Sequence, residues 1–137
     1  MLNKMNTIKE KKNLLSTLWI FVTLNYLYCD LIGLMDANLL QQYLTGEVEG
    51  LKLTNEFLLG AAILMELPIL MVLLSKILPF SYNRWVNIIV ASIKTAAMLA
   101  TLFIGTSTSY YIFFASIEIA TTLFIIGYCW SWKIKPN

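Results

Sequence analysis

Histidine is absent from the 137-residue sequence. That removes the commonest metal ligand and the commonest general base. Cysteine occurs twice, as Cys29 and Cys129, with no Cys-x-x-Cys spacing. In the layout derived below the two fall near opposite membrane faces, so they are not expected to pair within one chain, and disulfide-exchange chemistry is disfavoured. Charged residues make up 13% of the chain, about half the share usual in soluble domains. A net charge of +2 gives no footing for nucleic acid. No small-residue cleavage site follows the basic N-terminal stretch, so the first apolar run is expected to be retained as a signal anchor. No internal repeat, low-complexity tract or second domain is visible. Neither a metal site nor a cofactor is expected, and no catalytic residue is assigned.

What is present is apolar. Hydrophobic residues reach 58%, more than a soluble domain of this size can bury, because small domains keep much of their surface exposed. A bilayer resolves the excess. Four runs, about 14–35, 55–78, 84–104 and 110–132, are each long enough to cross the hydrocarbon core as a helix. The sequence therefore predicts an all-α, polytopic membrane protein, a four-transmembrane-helix bundle. Residues 1–13 form a basic arm, 14–132 a single transmembrane domain, and 133–137 a short tail.

The first outer loop carries the remaining local signals. Asp36 is placed to cap a short helix over 37–45, with Gly46 as its stop. Leu40 with Leu44, and Leu39 with Tyr43, give that helix an apolar side suited to the membrane surface. Residues 47–53 alternate around a glycine and suggest a small hairpin. Thr54 or Asn55 can cap the second span. Within it Pro68 removes a backbone donor and crowds the carbonyl of Leu64, so a kink is expected beside Glu66. Pro79 ends the span, and Asn83, in a tight turn over 81–84, is the expected cap of the third. There Asn87, Lys94 and Thr101 recur every seven residues, with Ala91 and Ala97 between them, as on a helix facing other helices.

Lys4, Lys9, Lys11, Lys12, Lys76, Arg84, Lys133 and Lys135 all fall on one side of this layout. Lys52 falls on the other, and Lys94 lies inside the membrane. The positive-inside rule then puts both termini in the cytoplasm of a bacterial-type plasma membrane. The four tryptophans, Trp19, Trp85, Trp130 and Trp132, lie toward the same side and read as an interfacial belt, with Tyr110 and Tyr111 at the opposite interface.

The candidate site comes from charge at depth. Glu66, Lys94 and Glu118 sit near the middle of three different spans, level with Asn25 of the first. Ionisable residues at bilayer depth normally face a bundle interior or cavity and find partners there. Lys94 with one glutamate makes a neutral pair. The second glutamate is left either protonated or awaiting a cation. Asp30 either reaches outer water or forms the acidic mouth of the same cavity, with Tyr26 one turn below. The expected pocket lies at the Pro68 kink, walled by Asn25, Glu66, Lys94 and Glu118 and covered by the 36–53 loop. The plainer alternative is a Glu–Lys–Glu network that only holds the helices in register.

Residues 18–33 with Cys29-Asp30-Leu31, the surface loop, Leu64–Pro68 and Ser116–Glu118 together resemble an uncharacterised family of short four-helix bacterial membrane proteins. More distantly, the layout is similar to DoxX-like proteins and to the sigma-2 receptor and sterol isomerase group. That second resemblance implies intramembrane acids lining a lipophilic pocket for amines or sterols. Asp30 and the Leu67–Pro68 step match its pattern, and Lys94 departs from it. Small multidrug exporters, also four-helix proteins, carry a glutamate in the first helix where this chain has Asn25 and tolerate a weak charge bias, so that match is rejected.

Three functions follow as expectations. The first is binding or transport of a small lipophilic or cationic molecule. The second is a structural or accessory membrane subunit, as a homo-oligomer or with a protein partner. The third is an intramembrane isomerase-like enzyme using Glu66 or Glu118.

Overall fold

The computed structural model describes residues 2–104 and 107–132. The Gly105–Thr106 turn and the basic tail with Lys133 and Lys135 lie outside the described residues. Helix α1 spans Leu2–Met35, α2 Ala37–Thr45, α3 Asn55–Ile77, α4 Phe80–Leu102 and α5 Ser109–Trp130. Strands β1 (Glu47–Val48) and β2 (Leu51–Lys52) pair antiparallel between α2 and α3. Helices α1, α3, α4 and α5 are each long and apolar enough to cross a membrane. Their packing is sequential: α1 lies against α3 and α5, and α4 against α5 and, less extensively, α3. The result is an up-down-up-down bundle in which α1 and α4 face each other across the centre.

The basic arm is not separate. It is helical and continuous with the first span, so α1, at 34 residues, is about 51 Å long and overshoots a hydrocarbon core of about 30 Å. Its lysines dock on the neighbouring helix ends. Lys11 Nζ sits 5.5 Å from the Trp132 ring, which stacks on Phe80 at 4.6 Å. Lys12 Nζ lies 3.4 Å from the Lys76 carbonyl.

The outer loop forms as its residues dictate. The Asp36 carboxylate accepts from the backbone N–H groups of Asn38 and Leu39, and Gly46 closes α2 at φ 77°. The hairpin turns through Glu49 (φ 50°) and Gly50 (φ 83°), the two positive φ values a tight two-residue turn requires. Thr54 caps α3 by accepting from Phe57 N.

Pro68 lies within helix α3 with its ring buried, as happens in membrane helices when neighbouring helices absorb the lost donor. Two expectations change here. The α3–α4 connection shrinks to Leu78–Pro79, because α4 begins at Phe80. Asn83 is therefore no cap. It is fully buried and donates to the Ser75 carbonyl at 2.6 Å, tying the last turn of α3 to the first of α4. The tryptophan belt is halved. Trp85 and Trp130 are exposed at the bundle's edge, whereas Trp19 and Trp132 are wholly buried.

The core is narrow and partly polar. Leu15, Trp19, Val22, Met71, Ala91 and Ile125 form its apolar centre. Ser16, Ser75, Asn83, Asn87, Lys94, Thr95, Glu118 and Thr122 are buried among them. Side chains facing outward are overwhelmingly aliphatic and aromatic, the arrangement lipid selects.

Candidate functional site

Two polar levels bridge the bundle from α1 to α4. At the inner level Trp19 Nε1 donates to Asn87 Oδ1 at 2.6 Å. That oxygen also lies 3.3 Å from Ser75 Oγ. The Asn87 amide nitrogen donates to the Asn83 carbonyl at 2.8 Å and to Asn83 Oδ1 at 2.6 Å. Ser16 Oγ donates to the Val72 carbonyl close by, at 2.8 Å. Residues from α1, α3 and α4 meet here, and each amide has partners.

Seven residues further along both helices lie Tyr26 and Lys94, two turns or about 10 Å nearer the 36–53 loop, at what is called the outer level. Lys94 is 3% exposed. Its ammonium sits 4.0 Å from the centre of the Tyr26 ring and 3.7 Å from Met65 Sδ. These are soft acceptors for a group with three N–H donors. Glu118 of α5 is 1% exposed, and neither of its carboxylate oxygens has a hydrogen-bond partner among the described residues. The buried Tyr26 hydroxyl also has none. Lys94, Glu118 and Asp30 lie within electrostatic reach of one another. Below Glu118 the Thr122 hydroxyl donates to the Glu118 carbonyl at 3.0 Å and pairs with Thr95 Oγ1 at 2.7 Å, which fixes α5 against α4.

Above this centre the surface loop covers a cleft of about 400 Å³. Tyr43 and Leu53 on the loop side, Phe57 of α3, Thr101 of α4, and Tyr110 and Tyr111 of α5 are among its walls. The Tyr111 hydroxyl donates to Thr101 Oγ1 at 2.6 Å. Tyr111 and Glu118 are two turns apart on one face of α5, so this hydroxyl pair forms a floor between the cleft and the buried carboxylate. Tyr43 feels Asp30 from the loop side; burial, and secondarily that charge, push its phenol above the ordinary value.

The sequence-predicted residues are thus divided. Lys94, Glu118 and Asp30 come together, with Asp30 retaining exposure at the rim. Glu66 does not join them. It is exposed on α3, and its neighbour Met65 takes the position facing Lys94. Asn25 donates to the Phe21 carbonyl of its own helix. The cleft lies at the outer ends of the helices and not at Pro68. Tyr26, Met65 and Tyr111 carry contacts that charge counting could not find. The spacing of Tyr26 one turn before Asp30 was the available signal. Among the described residues, no group of His, Cys, Asp and Glu is arranged to hold a metal ion. Cys29 and Cys129 are both buried and free.

Fold and site together define a polytopic four-helix membrane protein with an ionisable centre. The chain belongs to a family described as "Family of unknown function (DUF6326)", matched over residues 3–136. No curated protein and no solved structure matches it.

Proposed function

We propose that this protein binds, and moves within the membrane, a small lipophilic molecule bearing a cationic or polar group. The observation that carries this reading is Glu118, a buried carboxylate without a hydrogen-bond partner. Such groups are rare in native structures and point to a missing ion, water or ligand. Two carboxylates, Glu118 and Asp30, face one ammonium, Lys94, so the centre has room for one further positive charge. The cleft under the surface loop offers aromatic and aliphatic walls for the apolar part of such a ligand. Both termini are cytoplasmic in this reading, in a bacterial-type plasma membrane, so the cleft opens outward. The resemblance of layout to DoxX-like and sigma-2 receptor-like proteins, read from the sequence alone, would imply a lipophilic pocket. The test is equilibrium binding of tritiated tetraphenylphosphonium, and of a long-chain primary amine, to protein in liposomes. Wild type binds; Glu118→Gln loses binding about tenfold or more, the loss of a charge-assisted contact. Protons compete for the same carboxylates, so binding weakens as pH falls. Binding unchanged in both Glu118→Gln and Asp30→Asn refutes the proposal.

A second reading, a structural or accessory subunit, is favoured by the inner level alone, where every amide is paired. An isomerase-like enzyme that pairs Glu66 with Glu118 would need both carboxyls in one closed pocket, and the exposure of Glu66 argues against it.

A further inference from the structure

Helix α3 is the least enclosed of the four spans. Only 11% of its apolar stretch is buried, against 28% in α1 and 33% in both α4 and α5. Its outward face has a defined composition. Leu59, Ile63, Ile69, Leu70 and Leu73 lie within about 60° of Glu66 around the helix axis, and they are 43–63% exposed. Ala62 shares the face and is also exposed. Glu66 stands at its centre, the twelfth of 23 residues, level with Lys94 through the Met65 contact. A carboxyl at that depth facing lipid is among the most unfavourable placements a membrane helix can have, and such residues find a partner. Among the described residues none is supplied there: Lys94 is buried and in contact with Met65, while Glu66 is exposed. Beside this face α1 and α3 form a shallow apolar groove of about 360 Å³, walled by Ile20, Thr23, Leu24, Ile69, Val72 and Leu73.

We infer that the Glu66 face of α3 is the interface of a homodimer, with a second copy of this chain as the occupant. Two copies inserted in the same orientation are related by a two-fold axis along the membrane normal, and such an axis brings identical residues to the same depth. The two Glu66 carboxyls then oppose each other and can share one proton, each serving as donor or acceptor to the other, as paired carboxyls do. A foreign helix would need a matching group at that one depth, whereas a second copy supplies it by symmetry. Ala62, one turn away, lets the backbones approach. The groove beside this face, which Leu73 helps to wall, gives the apolar part of the contact a place to seat.

The test uses the full chain in liposomes, with Cys29→Ala and Cys129→Ala as background. Leu59→Cys and Leu73→Cys are oxidised and compared with Phe124→Cys, which lies on the exposed face of α5. The first two should give disulfide-linked homodimers and the third none. Dimer fraction is then followed by single-molecule subunit counting as protein is diluted in lipid. Glu66→Leu should raise the dissociation constant about threefold or more, the size of one interhelical hydrogen bond in lipid. Glu66→Gln, whose amide both donates and accepts, should stay near wild type. An apolar residue facing lipid does not threaten folding, so loss of dimer in Glu66→Leu is readable. A monomer at every dilution, equal cross-linking at position 124, or an undiminished dimer in Glu66→Leu would overturn the inference. So would cross-linking in native membranes to a different polypeptide in place of the homodimer.

Discussion

Trp19–Asn87 and Tyr26–Lys94 are the same contact made twice. Both join α1 to α4, and both partners are 68 residues apart in the chain. The inner pair is embedded in amides and hydroxyls that leave its donors and acceptors paired. The outer pair puts an ammonium on a ring face and a thioether, beside a carboxylate that accepts nothing. A fully satisfied buried network rigidifies a bundle, and a partly satisfied one is costly unless something else completes it. On the proposed reading, the difference separates what holds the fold from what binds. The inner level holds the helices in register, and the outer level is held in an incomplete state by a scaffold that does not depend on it.

The comparison can be broken most forcefully at Asn87. Asn87→Leu removes the acceptor for Trp19 and Ser75 and the donor to Asn83, and each buried group left alone costs roughly 1–3 kcal/mol. This should be the largest stability loss of any single polar substitution in the core, measured by reversible unfolding in bicelles. Binding of tetraphenylphosphonium to the protein that remains folded should be unchanged. Lys94→Met comes next. It removes a desolvated cation–π contact of about 2 kcal/mol, while the flexible thioether fills the space. Cation binding should strengthen, because the resident ammonium no longer offsets Asp30 and Glu118. Thr95→Val, which breaks only the hydroxyl pair with Thr122, should cost about 0.6 kcal/mol, typical of interhelical hydrogen bonds in membranes. It should leave binding intact.

Much of this architecture was legible in the sequence. The four spans, the Asp36 and Gly46 caps of α2 and the small hairpin follow from hydropathy, capping chemistry and glycine placement. Depth was legible too: Lys94 and Glu118 do meet at one level. Rotation about each helix axis was not. Helix α4 has a polar stripe that fixes which side faces inward, and its buried residues Asn87, Ala91 and Lys94 follow that stripe. Helices α1 and α3 are apolar nearly all round, so nothing local says whether Trp19 faces lipid or core, or whether Glu66 or Met65 faces Lys94. Packing decided both. Trp19 turned inward because Asn87 offers its indole N–H an acceptor, and burial of Pro68 and Met71 on one side of α3 left Glu66 on the other. Asn83 was misread for a related reason. An asparagine after a proline suits a cap, but a partner at the Ser75 carbonyl outweighs that preference.

The most direct test of this division is the unfolding free energy of Glu118→Leu against wild type in the same bilayer. Glu118 makes no hydrogen bond among the described residues that leucine would lose, and Asp30 remains within reach of Lys94 as its counter-charge, so the ammonium is not left uncompensated. The account predicts unchanged or increased stability together with loss of tetraphenylphosphonium binding. A loss of about 3–5 kcal/mol, the cost of breaking a buried ion pair, with binding retained, would contradict it and make Glu118 a structural partner of Lys94.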